Sequence, residues 1–288
     1  MLAHTRLREY IDLAIKVSRI RFWFYIAGPF TVGCIYGAQR FLDLATPEFL
    51  FYMFYFLIPA NIFLYGVNDY YDYDTDLLNP KKQGKEYFIP QDERRMIRNI
   101  ITVIAILSLI LLPFQKDHTE RLIFTAFLFL SYYYSAKPLR FKAVPFIDSA
   151  SNILYALPGV FAYYQITGRL PPSIIILGAF FHTFAMHLFS AIPDIDFDKQ
   201  VGIRTTAVIL GEKISLILCL TLWTGLAFIT LIVGNLTLLS YIPMIYPIMV
   251  LYLFIFNKKT ETVYWFYPYI NTGLGGLLFL IGAFQTSF

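Results

Sequence analysis

Apolar runs about as long as a membrane is thick recur along the whole 288-residue chain, and they constrain its fold more than any other feature. A helix needs roughly 20 residues to cross about 30 Å of hydrocarbon. Nine segments of about this length are separated by short charged or Pro- and Gly-containing breaks: 20–38, 48–67, 97–114, 119–135, 144–165, 172–192, 213–232, 238–256 and 263–284. Because a bilayer offers no water to backbone groups, these segments are predicted to be helices. The sequence therefore predicts an all-α, polytopic membrane protein with about nine transmembrane helices.

The composition agrees with this interpretation, since 58% of the residues are hydrophobic and only 15% are charged. Soluble domains carry nearer to a quarter of charged residues. No linker is long enough to divide the chain, so we predict one domain over 1–288. Residues 1–19 lack a compact apolar core followed by a cleavage site, and their pattern predicts an amphipathic helix at the membrane surface.

The positive charges are distributed unevenly between the two predicted sides of the membrane. With nine helices, 19 of the 23 Lys and Arg residues fall on the side of the N-terminus, and four fall on the other side. This asymmetry predicts a cytoplasmic N-terminus and a C-terminus on the opposite side. The basic pI of about 8.9 then reflects topology, and we expect no nucleic-acid partner.

Two polar segments on the predicted cytoplasmic side, 68–95 and 193–212, each begin with a burst of aspartates. On one continuous helix Asp69, Asp72 and Asp76 fall within about 60° of one another. Asp194 and Asp198 are four residues apart and share a face, with Asp196 on the reverse. Each helix end is therefore predicted to present a set of carboxylates toward one point.

Carboxylates gathered this closely repel one another and resist burial unless a positive charge compensates. Mg²⁺ does this with a few carboxylates, several waters and a phosphate. Basic residues follow both clusters; they are Lys81, Lys82, Lys85, Lys199 and Arg204. The combination predicts a site for a phosphorylated ligand. Aspartates that only cap helices, or the ion site of a cation transporter or channel, are the alternatives.

These residues resemble the motifs of the UbiA superfamily of intramembrane prenyltransferases. Residues 68–76 are similar to its NDxxDxxxD signature, 194–198 to its second DxxxD motif, and 202–207 to the segment that commonly follows. The resemblance implies helices around a central cavity, with 68–95 and 193–212 capping its polar mouth and Mg²⁺ between the two motifs. It also implies an isoprenyl diphosphate donor whose allylic cation alkylates a hydrophobic acceptor dissolved in the membrane.

Carried over to this sequence, the resemblance implies specific roles. The metal-binding set is Asn68, Asp69, Asp72, Asp76, Asp194 and Asp198. Asp69, Asp72 and Asp198 are also assigned to catalysis. Where some members carry a further aspartate before the second motif, this chain has Ser190. Residues 134–142 resemble the basic loop after helix four. The candidate diphosphate contacts are Arg21, Lys137, Arg140, Lys142, Lys199 and Arg204, and each of them is alternatively only a cytoplasmic anchor.

Several local stretches most resemble the lycopene elongase branch, which adds five-carbon units to the ends of a carotenoid. They are 21–25 with 27–29, 79–82, 145–152 and 189–195. The resemblance implies transfer from dimethylallyl diphosphate to a carotenoid. An aromatic quinone precursor, a chlorophyll-type ring and a glycerol lipid are the alternative acceptors.

A few polar or reactive residues lie inside predicted spans. Asp148 is a candidate catalytic acid that orients water or accepts a proton in the last step; alternatively it is a buried carboxyl bonded to Asn152 or to a neighbouring helix. His182 and His187 lie on roughly opposite faces of one helix and make no metal pair. Structural roles are favoured for both, and His187 is the nearer to the second cluster. Free, buried cysteines are expected at Cys34 and Cys219.

Overall fold

The computed structural model describes residues 2–77 and 87–285, without the side chains of residues 2–5 and of Asp76. The predicted basic residues Lys81, Lys82 and Lys85, and the segment 79–82, lie outside the described residues. The chain divides into two compact units. Unit 1 comprises Met1–Arg140, Leu157–Gly168 and Phe279–Phe288, and unit 2 comprises Phe141–Ala156 and Arg169–Leu278.

The described chain is built of α-helices joined by short turns and 3₁₀ segments, which confirms the predicted all-α class. In chain order the helices are α1 Leu2–Ser18, α2 Trp23–Gly37, α3 Pro47–Leu57, α4 Pro59–Tyr71, α5 Tyr73–Asp76, α6 Arg94–Leu111, α7 His118–Tyr133, α8 Ile147–Ala150, α9 Leu157–Thr167, α10 Ser173–Ala191, α11 Ile195–Gln200, α12 Thr206–Val233, α13 Ile245–Ile255, α14 Glu261–Tyr264 and α15 Tyr267–Gln285.

Six helical stretches in the described chain are long and apolar enough to cross a membrane: Pro47–Tyr71, Arg94–Phe114, Ser173–Gln200, Thr206–Val233, Leu238–Ile255 and Tyr267–Gln285. The chain is thus a multi-pass membrane protein, but the predicted count of nine helices is not confirmed. The predicted span 20–38 contains the 15-residue α2, and 119–135 overlaps the 16-residue α7. The predicted span 144–165 is divided into α8, the 3₁₀ segment Ser151–Tyr155 and α9.

Local sequence explains where several helices begin. The Thr46 side chain accepts a hydrogen bond from Phe49 N, and Pro47 is the first residue of α3. Asp117 accepts bonds from two backbone N–H groups at the start of α7, and Thr205 caps α12 in the same way. Such caps satisfy donors that a helix start leaves unpaired. Pro59 separates α3 from α4 because a proline has no N–H for the preceding turn.

In unit 1, α4 packs against α1, α6 and α7. Its inner face joins a buried core whose members include Leu13, Val17, Val67, Ile97 and Ile101. Burial of such side chains contributes about 1.5–3 kcal/mol each. This packing fixes the carboxyl end of α4, where the first aspartate motif begins.

In unit 2, α10 packs along α12, and the ring centroids of Phe189 and Trp223 are 5.6 Å apart. Cys219 Sγ lies 3.5 Å from the carbonyl oxygen of Ala185 on α10. Cys219 is a free, buried thiol, and so is Cys34 in unit 1, which confirms the prediction for both. The α10–α12 contact fixes the carboxyl end of α10, after which the second motif begins.

Candidate functional site

The first aspartate motif does not lie on one continuous helix, contrary to the prediction. α4 ends at Tyr71, Asp72 has φ −99° and ψ 3°, and α5 begins at Tyr73. The hydroxyl of Thr75 donates a 2.8 Å hydrogen bond to the carbonyl oxygen of Asp72. This local bond competes with the helical backbone bond that the carbonyl would otherwise accept. The side chain of Asp76 lies outside the described residues, so the position of its carboxylate stays a prediction.

Asp69 is 4% exposed and Asp72 is 3% exposed, so both are buried. Each of them is paired with an arginine. Arg19 Nη2 lies 2.7 Å from Asp69 Oδ1, and Arg140 Nη2 lies 3.5 Å from Asp72 Oδ1. A buried carboxylate is costly unless it is paired and hydrogen-bonded. The two guanidinium groups supply this compensation.

Asn68 links the motif to the turn that follows α7. Its amide nitrogen donates to Asp72 Oδ2 at 2.7 Å and to the hydroxyl of Ser135 at 2.9 Å. The amide therefore fixes one oxygen of Asp72 while Arg140 faces the other. Ser135 is buried; it lies in the segment 134–142 that resembles the basic loop, but the sequence analysis assigned it no role.

Both arginines have left-handed backbone conformations, with φ 52° at Arg19 and φ 41° at Arg140. Positive φ is uncommon for residues other than glycine, and it is maintained only where surrounding contacts favour it. The guanidinium of Arg19 also lies 4.9 Å from the centroid of the Tyr65 ring. Arg19 was missed in the sequence because its role depends on this turn after α1, which apolar periodicity does not reveal.

The second motif lies in unit 2 and begins in a 3₁₀ turn, Ile192–Asp194, rather than on a regular α-helix with Asp198. A proline at position 193 accounts for the irregular turn, since it cannot donate a backbone hydrogen bond. Asp194 and Asp198 are half-buried whereas Asp196 is exposed, which agrees with the predicted opposite facing. The hydroxyl of Thr205 lies 3.5 Å from Asp198 Oδ2.

Asp148 in unit 2 is fully buried, and its carboxylate already accepts three hydrogen bonds. Oδ1 accepts from Ser149 N at 2.8 Å and from the Thr206 hydroxyl, and Oδ2 accepts from Thr206 N at 2.8 Å. Asn152 donates instead to the backbone oxygen of Asp148, at 2.6 Å. The predicted bond between the carboxyl and Asn152 is therefore wrong, because the amide reaches the carbonyl one helical turn earlier. The alternative bond to a neighbouring helix is present at Thr206.

The other predicted diphosphate contacts differ in exposure. Lys142 is half-buried, whereas four are exposed: Arg21, Lys137, Lys199 and Arg204. The guanidinium of Arg21 lies 4.8 Å from the centroid of the Phe22 ring. Ser190 donates a 2.8 Å bond to the carbonyl oxygen of Met186 within α10. Arg140 is a predicted contact that pairs with a motif aspartate, since its Nη2 lies 3.5 Å from Asp72 Oδ1.

The chemistry of the first motif fits a hard divalent cation such as Mg²⁺. The described side chains of the motif offer carboxylate and amide oxygens, which are ligands that Mg²⁺ prefers. Mg²⁺ needs only one or two protein carboxylates beside waters and phosphate oxygens. Among the side chains that the structure describes, no group of three or more His, Cys, Asp or Glu is arranged to hold a metal ion. Asn68, Asp69 and Asp72 are the described residues of this motif that could hold such a metal.

Two of the known proteins with similar sequences are lycopene elongase/hydratases. The chain is 40% identical over 267 residues to the lycopene elongase/hydratase of Haloferax volcanii, and the alignment covers 93% of this chain and 87% of that protein. It is 38% identical over 274 residues to the lycopene elongase/hydratase of Halobacterium salinarum, and that alignment covers 93% of this chain and 95% of that protein.

A solved structure has a similar fold. A UbiA homolog from Archaeoglobus fulgidus bound to GPP and Mg²⁺ superposes with a TM-score of 0.69 at 22% sequence identity. The alignment covers 94% of this chain and 99% of that chain. At this identity the likeness shows a shared fold. A sequence model of the UbiA prenyltransferase family matches residues 26–281, most of the chain, and the chain therefore belongs to that family.

Proposed function

We propose that this UbiA prenyltransferase transfers a five-carbon group from dimethylallyl diphosphate to the end of a carotenoid inside the membrane. Its family membership already sets aside a cation transporter. The observation that carries the proposal is the pairing of buried Asp69 with Arg19 and buried Asp72 with Arg140, which places carboxylates and guanidiniums side by side. The 40% identity to the elongase/hydratase of Haloferax volcanii supports a carotenoid as the acceptor.

The aspartate motifs are proposed to bind the metal ions and to orient the donor. The residues assigned to Mg²⁺ are Asn68, Asp69, Asp72, Asp76, Asp194 and Asp198. When bound, Mg²⁺ supplies positive charge that stabilises the departing diphosphate. In the described structure the arginines neutralise the two buried carboxylates, and with a metal present the same guanidiniums would bind phosphate oxygens. Arginine suits this role because its planar group binds phosphate through two parallel hydrogen bonds.

The remaining basic residues are proposed to attract and hold the diphosphate from more exposed positions. They are Arg21, Lys137, Lys142, Lys199 and Arg204. After the diphosphate leaves, the allylic cation attacks an alkene carbon of the acceptor, and a new cation forms on the product. Aromatic side chains stabilise such cations and exclude bulk water. The name of the two similar proteins couples elongation with hydration, and we propose that water ends this reaction too.

The proposed orientation places the N-terminus and both aspartate motifs in the cytoplasm and the C-terminus on the opposite side. Nineteen of the 23 Lys and Arg residues support it under the nine-helix interpretation. The soluble diphosphate donor then reaches the site from the compartment in which it is made, and the carotenoid reaches it from the bilayer.

A turnover assay in membranes tests the proposal. The reaction contains dimethylallyl diphosphate, Mg²⁺ and either lycopene or 4-hydroxybenzoate, and mass spectrometry identifies the products. Lycopene that gains one or two five-carbon units is the expected result. Prenylated benzoate alone would move the protein to aromatic acceptors, and transfer to a lipid glycerol instead would exclude the carotenoid.

Matched variants test the metal assignment. Asp72→Asn is expected to lower turnover at least about 100-fold, because carboxylates that hold the metal also stabilise the leaving group. Asp74→Asn is the control, since Asp74 is exposed in the same motif. The pair Asp198→Asn and Asp196→Asn repeats the comparison in the second motif. Equal rates within either pair, or full turnover in excess EDTA, would contradict the assignment.

A further inference from the structure

A buried aspartate and a partly accessible histidine lie close together in unit 2. His187 Nε2 on α10 is 3.9 Å from Asp148 Oδ2 on α8. This separation exceeds hydrogen-bond length but is short enough for strong electrostatic interaction where little water is present. From the sequence, Asp148 had an open interpretation and a structural role was favoured for His187; the structure brings the two together.

The imidazole is the member of the pair that another molecule can reach. The side chain of His187 is 17% exposed, whereas that of Asp148 is 0% exposed. In the same turns of α10, Ala185, Met186, Leu188 and Phe189 are all buried. His187 therefore presents an accessible polar group among buried apolar neighbours on this part of α10.

The hydrogen bonds to Asp148 fix its carboxylate and leave it poorly placed for proton transfer with a substrate. Thr206 donates to it twice, from its backbone N–H and its hydroxyl, and Ser149 donates from its backbone N–H. A carboxylate beside Nε2 favours the imidazole tautomer with its proton on Nε2, and Nδ1 is then the nitrogen that accepts a proton.

We propose that His187 is the catalytic base of the hydration step, and that Asp148 is a positioning residue that acts through it. The inference rests on the proposed function. After alkylation the acceptor carries a carbocation; the oxygen of a water molecule forms a C–O bond to it as one O–H bond of that water breaks. The proton passes to Nδ1 of His187, the carboxylate of Asp148 stabilises the imidazolium, and the proton is later released to water. No oxidant or reductant is needed.

The test compares product ratios in His187→Gln and His182→Gln. Both histidines lie on α10, but His182 packs against the ring of Tyr246, with the centroids 4.9 Å apart, and serves as the matched control. Each variant is incubated with dimethylallyl diphosphate, lycopene and Mg²⁺ in oxygen-18 water. Mass spectrometry then separates the hydroxylated product, which carries the label, from the product that has lost a proton instead.

In His187→Gln we expect total prenyl transfer to stay within about threefold of wild type. The ratio of hydroxylated to unhydrated product should fall at least about tenfold, which is less than the full contribution of a typical general base. Asp148→Asn should lower the ratio in the same direction, and His182→Gln should leave it unchanged. Thermal melting identifies variants that do not fold.

Three results would overturn the inference. One is an unchanged ratio in folded His187→Gln, and another is an equal fall of both products, which would mark a structural role. The third is a wild-type enzyme that elongates lycopene without adding water, which would leave the proposed prenyl transfer intact. Absence of any carotenoid product from the wild type would instead overturn the proposed function itself.

Discussion

Arg19 and Arg21 are separated by one residue, but their side chains have different surroundings. Arg19 is paired with buried Asp69 at 2.7 Å, and Arg21 is exposed beside Phe22. Removing one partner of a buried ion pair costs on the order of 3–5 kcal/mol, and the partial exposure of Arg19 makes that an upper value. We expect Arg19→Gln to melt at a lower temperature than Arg21→Gln and to lose at least about tenfold in turnover at limiting diphosphate. A larger loss in Arg21→Gln would contradict the pairing.

The cap of α7 carries a pH dependence. A 2.7 Å hydrogen bond from the Tyr164 hydroxyl, together with the backbone N–H of Glu120, holds the pKa of Asp117 below its usual value. A lowered folded-state pKa gives stability that is present above the unfolded-state value, about 3.9, and is lost as the pH falls through the folded value. Tyr164→Phe should therefore melt below wild type at pH 7, and the difference should shrink as the solution is acidified toward pH 3. A difference independent of pH would contradict this account.

Residue identity predicted part of the site. The spacing of the aspartates singled out Asp69, Asp72, Asp194 and Asp198, and the structure places the first two in a buried, compensated setting. The spacing did not single out Arg19, because its partner Asp69 lies 50 residues further along the chain and no sequence pattern joins the two.

At the scale of elements, α2 and α9 approach each other through glycines. A Cβ built at Gly33 would lie 2.1 Å from the carbonyl oxygen of Gly159, so the backbones could not stay at their present distance. Gly33→Ala is expected to destabilise the protein by about 1–3 kcal/mol, as overpacking does in other cores. Gly28→Ala on the same helix is the control, because the nearest atom to its Cβ is 3.9 Å away. Melting temperatures in detergent measure the difference, and equal values for the two variants would contradict the close contact.

The length of the apolar runs predicted that helices are present, but it did not predict where those helices are interrupted. The run 144–165 is as apolar as a continuous span, yet the side chain of Asp148 binds the backbone N–H groups of Ser149 and Thr206 and the chain changes to a 3₁₀ segment at Ser151. The first motif breaks at Asp72 for a similar reason, since a side-chain hydroxyl takes the place of a backbone donor. Hydropathy measures preference for an apolar environment and carries no information on such local competition.

At the scale of the whole molecule, α1 has a second apolar face. Leu13 and Val17 enter the core of unit 1, while Leu7, Ile11 and Ile15 are exposed at four-residue intervals. The predicted helix at the membrane surface would bury such a face in the bilayer. A spin label at Ile11→Cys should be more accessible to oxygen, which concentrates in the bilayer, than one at exposed Glu9→Cys, which should be more accessible to a water-soluble relaxant. The reverse order would exclude an interfacial α1.

The division into two units was not predicted from the sequence. Unit 1 gathers Met1–Arg140 with Leu157–Gly168 and Phe279–Phe288, segments that are far apart along the chain. Apolar periodicity reports only which face of a segment avoids water, and it holds no information on which distant segment will cover that face. The multi-pass, all-α class was predictable because it needs only the length of each apolar run.

The orientation in the membrane can be tested on a single helix. The stretch Arg94–Phe114 is long enough to cross the bilayer, Arg95 is exposed at its start, and His118 is exposed just beyond its end. Because both natural cysteines are buried, cysteines introduced at these two positions should account for most of the labelling by a membrane-impermeant maleimide. His118→Cys should react in intact cells, and Arg95→Cys only after the membrane is permeabilised, since the arginine-rich end is proposed to be cytoplasmic. The opposite order would invert the orientation, and it would place the acidic motifs on the side away from the soluble donor. Labelling of both in intact cells would mean that this helix does not span the membrane.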